Sequence, residues 1–106
     1  MNEIIIFYAV APDESAAQTL AARLVATDAA ACVNILPGVR SIYRWRGAVE
    51  QADEVAMIIK TASARADQVK SFVLAAHPHE NPALLALPVD RVRSSEKFCA
   101  WIDDPR

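Results

Sequence analysis

The 106-residue sequence predicts an α+β fold, a ferredoxin-like βαββαβ sandwich with a long β2-β3 hairpin and a C-terminal helix. Two observations favour this fold. Apolar runs typical of strands and segments with helical spacing alternate in the order strand, helix, strand, strand, helix, strand. The middle two strands are long and meet at a tight turn. Both helices then cover one face of an antiparallel sheet, and the other face needs cover from elsewhere.

The first strand and helix are predicted by residues 3–28. Residues 3–10 form an Ile-rich run typical of a central strand. Pro12 ends this strand, and Asp13 is a candidate N-cap for a helix over residues 14–28. The helix follows from an apolar stripe at helical spacing, formed by Ala17, Leu20, Ala21, Leu24 and Val25.

The long hairpin is predicted over residues 31–61. Arg46-Gly47 is the turn, because Gly accepts the positive φ that two-residue hairpin loops require. Pro37-Gly38 lies inside the first strand, where it predicts a bend or bulge that re-aims the rest of that strand. The polar residues 51–54 predict a second irregularity. The arm beyond the bend carries Tyr43 and Trp45, and we expect another copy of the chain to cover it.

The last elements are a second helix, a short strand and a terminal helix. Ser63 is a candidate cap for a helix over residues 64–76, which the dipeptide His77-Pro78 ends. Residues 77–82 form a loop, and residues 83–89 an apolar strand. Residues 95–103 predict a helix whose buried side is formed by Phe98, Trp101 and Ile102.

Composition narrows the class of protein. Residues 1–106 are expected to form one domain, and a net charge of −2 gives no support to a nucleic-acid partner. The longest uncharged stretch, residues 29–39, is too short to span a membrane. The N-terminus has no leading Lys or Arg, so a strand is expected there rather than a signal peptide. These features predict a cytoplasmic protein in which Cys32 and Cys99 are reduced.

The sequence also argues against an enzyme. It contains no GxGxxG, P-loop or GxSxG motif, and with two glycines it offers no phosphate-cradling loop. Acylphosphatases share the predicted fold but need an arginine-bearing anion cradle after the first strand, where this chain has residues 11–15, APDES. The spacing of residues along the sequence does not indicate a nucleophile–base pair. We therefore expect a protein without catalytic activity.

Four segments of the chain are distinctive: ACVNILPGVRSIYRWRG from Ala31, the IIKT strand end, HPHENP, and ALPV. Together, and in order to about Trp101, they resemble the CutA divalent-cation tolerance family. It implies a small ferredoxin-like domain that forms a homotrimer through its long strands, with Tyr43 and Trp45 as interface anchors. It further implies a role in tolerance of divalent metals, copper especially.

Metal binding at or near subunit clefts is the first functional hypothesis. The candidate ligands for copper(II) or another divalent ion are His77, His79, Glu80 and Cys32, since imidazole, carboxylate and thiolate are common donors. His79 departs from the family's HPY pattern and adds a possible ligand. The alternative is structural: His77 would cap the preceding helix, His79 would be an ordinary loop residue, and Cys32 would be a small buried apolar side chain.

Two other functions are compatible with the sequence. One is a sensing or signalling trimer similar to PII-type regulators, with a small anion bound in an interchain cleft by Lys60, Arg44 and Trp45. Lys60 lies on an otherwise apolar strand, so its charge needs a partner. In this interpretation Lys60 either lines the pocket or forms an ion pair with Glu80. The other is a structural trimeric scaffold for a protein partner.

Overall fold

The computed structural model of the chain describes residues 2–77 and 80–106. Its elements are β1 (Ile4–Ala11), α1 (Glu14–Ala26), β2 (Cys32–Trp45), β3 (Ala48–Ala62), a 3₁₀ turn (Ser63–Arg65), α2 (Ala66–Ala76), β4 (Leu84–Pro88) and α3 (Glu96–Asp103). The strands form one antiparallel sheet in the order β2-β3-β1-β4. This order and connectivity confirm the predicted ferredoxin-like fold. No helix in the described ranges is long and apolar enough to span a membrane.

The main core lies between α1 and α2 and one face of the sheet, called here the inner face. Phe7 on β1 and Met57 and Ile59 on β3 point to it, and each is at most 4% exposed. They contact Leu24 of α1 and Val69 of α2, which are fully buried. Burial of this apolar surface from water is the main force that holds the helices on the sheet.

The opposite face of the sheet, the outer face, is largely uncovered. Tyr8 pairs with Ile58 on one side and with Leu85 on the other, so these three side chains share that face. Tyr8 is 37% exposed and Leu85 is 65% exposed. Helix α3 covers only one end of the face, where Cys99 and Ile102 are buried.

The hairpin forms an arm that extends past the rest of the sheet. β1 pairs with β3 only as far as Val55, so residues 48–54 pair with β2 alone. Pro37 and Gly38 together lie opposite Val55, and Gly38 has a φ of 79°. This is the predicted bulge. The turn is also confirmed, with positive φ at Arg46 and Gly47.

The second irregularity, predicted at residues 51–54, is wrong. Those residues pair with β2 without interruption, and the register shifts only between Leu36 and Val39. Gln51, Asp53 and Glu54 are polar because they lie on the arm, outside the core. Neither face of the strand is covered there by α1 or α2.

The helix ends show where local signals were sufficient. Asp13 caps α1 as predicted, with its side chain accepting a hydrogen bond from the backbone N–H of Ala16 at 2.8 Å. The helix ends at Ala26 rather than residue 28, because Asp28 adopts a φ of 63°. Ser63 is not a cap; it begins the 3₁₀ turn, and its N–H donates to the carbonyl of Glu3.

The buried side of α3 differs from the prediction. Ile102 is buried as expected, but its buried neighbour is Cys99. Phe98 and Trp101 are 45% and 40% exposed, and their ring centroids lie 5.5 Å apart. With five apolar residues in an eight-residue helix, the sequence alone does not decide which pair faces the sheet.

Two arginines attach α3 to the rest of the chain. Arg65 donates to the last carbonyls of the helix, those of Ile102 and Asp103. The side chain of Arg91, 9% exposed, donates to both carboxylate oxygens of Glu96, to Asp103 at 2.8 Å and to the carbonyl of Asn2. These hydrogen bonds raise the pKa of Arg91 and lower the pKa of Glu96.

We expect Arg91→Gln to lower the thermal stability of the protein at pH 7, because it leaves Glu96 and Asp103 without their shared cation. The folded-state pKa of Glu96 is lowered, so its contribution is complete above the ordinary carboxyl pKa of about 4.3 and disappears as pH falls through the lowered value. The difference in melting temperature should therefore shrink toward pH 3. Arg93→Gln is the matched control, since Arg93 is 84% exposed; equal losses in the two variants would contradict the anchoring role.

Candidate functional site: a cleft beside the hairpin arm

A cavity of about 690 Å³ lies between the arm and the loop that joins α2 to β4. This volume is within the range of about 300–1,000 Å³ that is typical of small-molecule sites. Eight polar or aromatic residues among those that the structure describes line it: Ser41, Tyr43, Arg44, Trp45 and Glu54 from the arm, and His77, Glu80 and Asn81 from the loop.

The arm supplies the aromatic wall of the cleft. Tyr43 and Trp45 stand two residues apart on β2, so the strand pleat places them on the same side. They are 43% and 41% exposed. Arg44 lies between them in sequence, and its guanidinium donates a long 3.4 Å hydrogen bond to the carbonyl of Gly47. The same pleat directs the Arg44 side chain to the other side of the strand, so the arm offers the cleft flat aromatic surface, with Arg44 at its margin.

His77 fixes the loop against the sheet. Its extended backbone ends α2, and its N–H donates to the carbonyl of Val73 at 3.0 Å. The ring atom Nε2 lies 2.6 Å from the carbonyl oxygen of Val10, which can only accept, so Nε2 carries the proton. His77 therefore has structural contacts of its own, at the end of α2 and with Val10. A metal ion at Nε2 would replace the hydrogen bond to the Val10 carbonyl.

An ion pair crosses from the arm tip to the loop. The guanidinium of Arg46 lies 3.6 Å from the carboxylate of Glu80, and it also lies 5.4 Å from the ring centroid of Trp45. The Arg46 and Glu80 side chains are 76% and 79% exposed, so water and salt screen their attraction. Sequence reasoning missed this pair, although an arginine at a turn position that favours Asn or Gly was a signal.

The structure brings together only part of the predicted metal ligand set. His77 and Glu80 line the same cleft, and His79 lies outside the described residues. Cys32 lies elsewhere. It pairs with Lys60 on β3, whereas Val10, which lines the cleft, pairs with Ala56. The four residues of β3 between these two pairs span about 13 Å. Within residues 2–77 and 80–106, no group of three or more His, Cys, Asp or Glu side chains could hold a metal ion.

The predicted anion site is also divided within one chain. Arg44 and Trp45 line the cleft, but Lys60 lies on the outer face of the sheet with its ammonium 5.3 Å from the ring centroid of Phe98. Glu80 pairs with Arg46, so the expected Lys60–Glu80 contact is absent between these described residues. The cause is simple: Lys60 is near one end of β3, whereas the arm is formed by the other end.

Comparison with known proteins gives one consistent result. Residues 5–105 match the family described as "CutA1 divalent ion tolerance protein". The divalent-cation tolerance protein CutA of Citrobacter koseri is 38% identical over 101 residues, which cover 95% of this chain and 86% of that protein.

Solved structures agree. CutA1 from Oryza sativa superposes with a TM-score of 0.89 and 34% identity over 95% of this chain and 91% of that one. The PII-like protein CutA from Nostoc gives 0.87 and 28% over 93% of each chain. With this sequence match and shared fold, the chain belongs to the CutA1 family of divalent ion tolerance proteins.

Proposed function

We propose that the protein is a non-enzymatic homotrimer that contributes to divalent-cation tolerance in the cytoplasm by binding copper(II), or a related divalent ion, in the cleft. The observation that carries this proposal is that His77 and Glu80 line the same cleft. Imidazole and carboxylate suit copper(II), which binds such donors most tightly among the divalent first-row ions. His77 and Glu80 form only a partial shell, and although Glu54 also lines the cleft, these residues do not form a complete metal-binding group, which favours an exchangeable ion over a permanently held one.

Support for the homotrimer comes from the uncovered apolar surface. Soluble monomers rarely expose a large contiguous apolar patch. The outer face and the arm together expose many large apolar side chains, namely Tyr8, Leu36, Ile42, Tyr43, Trp45, Val49, Leu85, Leu87, Phe98 and Trp101. Copies of the same chain offer a matching apolar surface, and closed homo-oligomers are the usual way to cover it.

We expect Leu85→Asp to convert the trimer to a monomer, because the new carboxylate would lie on the outer face and lose its water when that face is covered in the trimer. Val92→Asp is the matched control: Val92 is 81% exposed and lies outside the sheet, so the trimeric mass should persist. Light scattering of both variants and the parent at micromolar concentration measures the mass. A parent protein that is already monomeric would refute the trimer.

We expect copper(II) to bind the parent protein at about one ion per chain, and the variant His77→Ala/Glu80→Gln to bind at least about tenfold more weakly. Isothermal titration calorimetry measures both, and melting curves check that the variant is folded. Cys32→Ala should leave the affinity unchanged, because Cys32 lies outside the cleft. Adding His79→Ala tests the remaining candidate ligand. Binding that survives all of these changes would overturn the proposed site.

A second function, small-molecule sensing, is favoured by the volume and lining of the same cleft. Trp45 and Tyr43 can stack against a planar group, and the guanidinium of Arg44, at the margin of the cleft, can hold an anionic group of the same ligand. A mononucleotide offers both groups and is a suitable probe. We expect it to raise the melting temperature of the parent and of Lys60→Ala, but not of Arg44→Ala, since Lys60 lies outside the cleft.

An interchain anion site at Lys60 predicts the reverse result: the mononucleotide would stabilise Arg44→Ala but not Lys60→Ala.

A third function, a scaffold for another protein, would be indicated if pull-down partners persisted in variants that lack the cleft residues.

A further inference from the structure

Strand β3 carries two partly buried charged residues on the outer face of the sheet. Lys60 lies near the C-terminal end of this strand, and Glu54 is the first residue of the arm. Because an even number of positions separates them, the strand pleat directs both side chains to the same face. Six residues of extended strand span about 20 Å, so the two charges do not meet within one chain.

Within residues 2–77 and 80–106, neither of these charges takes part in an ion pair. The ammonium of Lys60 has an aromatic neighbour instead, with 5.3 Å to the ring centroid of Phe98. The adjacent acid on the arm differs from Glu54, since Asp53 is largely exposed and pairs with Arg40. Charged side chains that lose part of their water usually have a partner, so Lys60 and Glu54 call for one from outside the chain.

The surface between the two charges is apolar. Ala56 and Ile58 lie between Glu54 and Lys60 on the same face, and Ile58 pairs with Tyr8 of β1. A molecule that covers this surface removes the remaining water from both ends of it. The covering molecule must therefore supply an opposite charge at each end. A second copy of this chain carries both charges on a surface of the same length.

We propose that Lys60 of one copy forms an ion pair with Glu54 of the next copy, and that this pair sets the direction in which the copies assemble. In a closed ring of three, one patch of each copy meets a different patch of its neighbour. Opposite charges at the two ends of one apolar surface fit such a head-to-tail contact. An arrangement that placed like ends together would set ammonium against ammonium and carboxylate against carboxylate. This inference rests on the proposed homotrimer and adds the contact that orders it.

Charge reversal tests the pair without any metal or ligand. We expect Lys60→Glu and Glu54→Lys each to lower the urea midpoint of trimer dissociation by about 1 M, because each variant sets like charges against one another in the covered surface. The double variant Lys60→Glu/Glu54→Lys exchanges the two charges and keeps the pair, so it should regain the parent midpoint. Sedimentation at one fixed micromolar chain concentration measures the trimer, and circular dichroism checks that each variant is folded.

A mixing experiment tests whether the pair joins different chains. Each reversed variant alone forms a ring with three like-charge contacts. An equal mixture of Lys60→Glu and Glu54→Lys chains, combined in urea and then diluted, forms rings with two opposite-charge contacts and one like-charge contact. The mixture should therefore have a higher midpoint than either variant alone.

Neutral variants give the same comparison if a reversed variant does not fold. Lys60→Met and Glu54→Gln each leave one charge unpaired in the covered surface, so each should lower the midpoint. The losses should not add in the double variant, because the second substitution removes the charge that the first one left unpaired.

Two matched controls limit the effect to this pair. Asp53→Lys reverses the charge next to Glu54, on the other side of the strand, and Lys70→Glu reverses an exposed lysine of α2. Both variants should keep the parent midpoint. Equal losses in Asp53→Lys and Glu54→Lys would show a general charge effect and overturn the pair.

The remaining outcomes separate the pair from the trimer. If the double variant is no more stable than the single variants, or if the exposed Glu50 and not Glu54 rescues Lys60→Glu when it is changed to Lys, the pair is overturned and the trimer stands. A monomeric parent would overturn both. Restoration in the double variant and in the mixture, with unchanged controls, would support both.

Discussion

The bulge at Pro37 and Gly38 is the constraint on which the rest of the structure depends. Two residues of β2 lie opposite the single residue Val55, and Gly38 supplies the left-handed φ that this geometry needs. Up to the bulge, β2 and β3 belong to the sheet and help to form the core. Beyond it they form an arm with no β1 partner, free to bend toward the α2-β4 loop. Without the extra residue, the strand faces beyond it would be exchanged.

How much was predictable follows from how local each signal is. The succession of strands and helices along the chain, the cap at Asp13 and the turn at Gly47 depend on residues close together in the chain, and the sequence was sufficient for them. The partner of Glu80 depends on where the arm ends, and therefore on register and bend across many residues. Charge alone made Lys60 a reasonable partner, but Lys60 is fixed near the opposite end of β3 from Arg46.

The candidate site shows the same division between local signals, which the sequence carries, and long-range placement, which the fold determines. The sequence identified His77, Glu80, Arg44 and Trp45 as residues with useful chemistry, and all four line one cleft. It could not determine that Cys32, at the start of β2, pairs with Lys60 away from that cleft, because this separation follows from pairing across three strands. Nor could it show that Nε2 of His77 is engaged by a backbone carbonyl. Residue type suggests chemistry, whereas the sheet decides which groups can act together.

Assembly and ligand binding share the same arm in the proposed function. Tyr43 and Trp45 form a wall of the cleft, and both are also among the exposed aromatic residues that a second copy would cover. A change in the position of the arm tip therefore alters the cleft and the subunit surface together. Arg46 lies between Trp45 and Glu80, so the arm tip meets the α2-β4 loop beside an aromatic residue that the proposed trimer would cover.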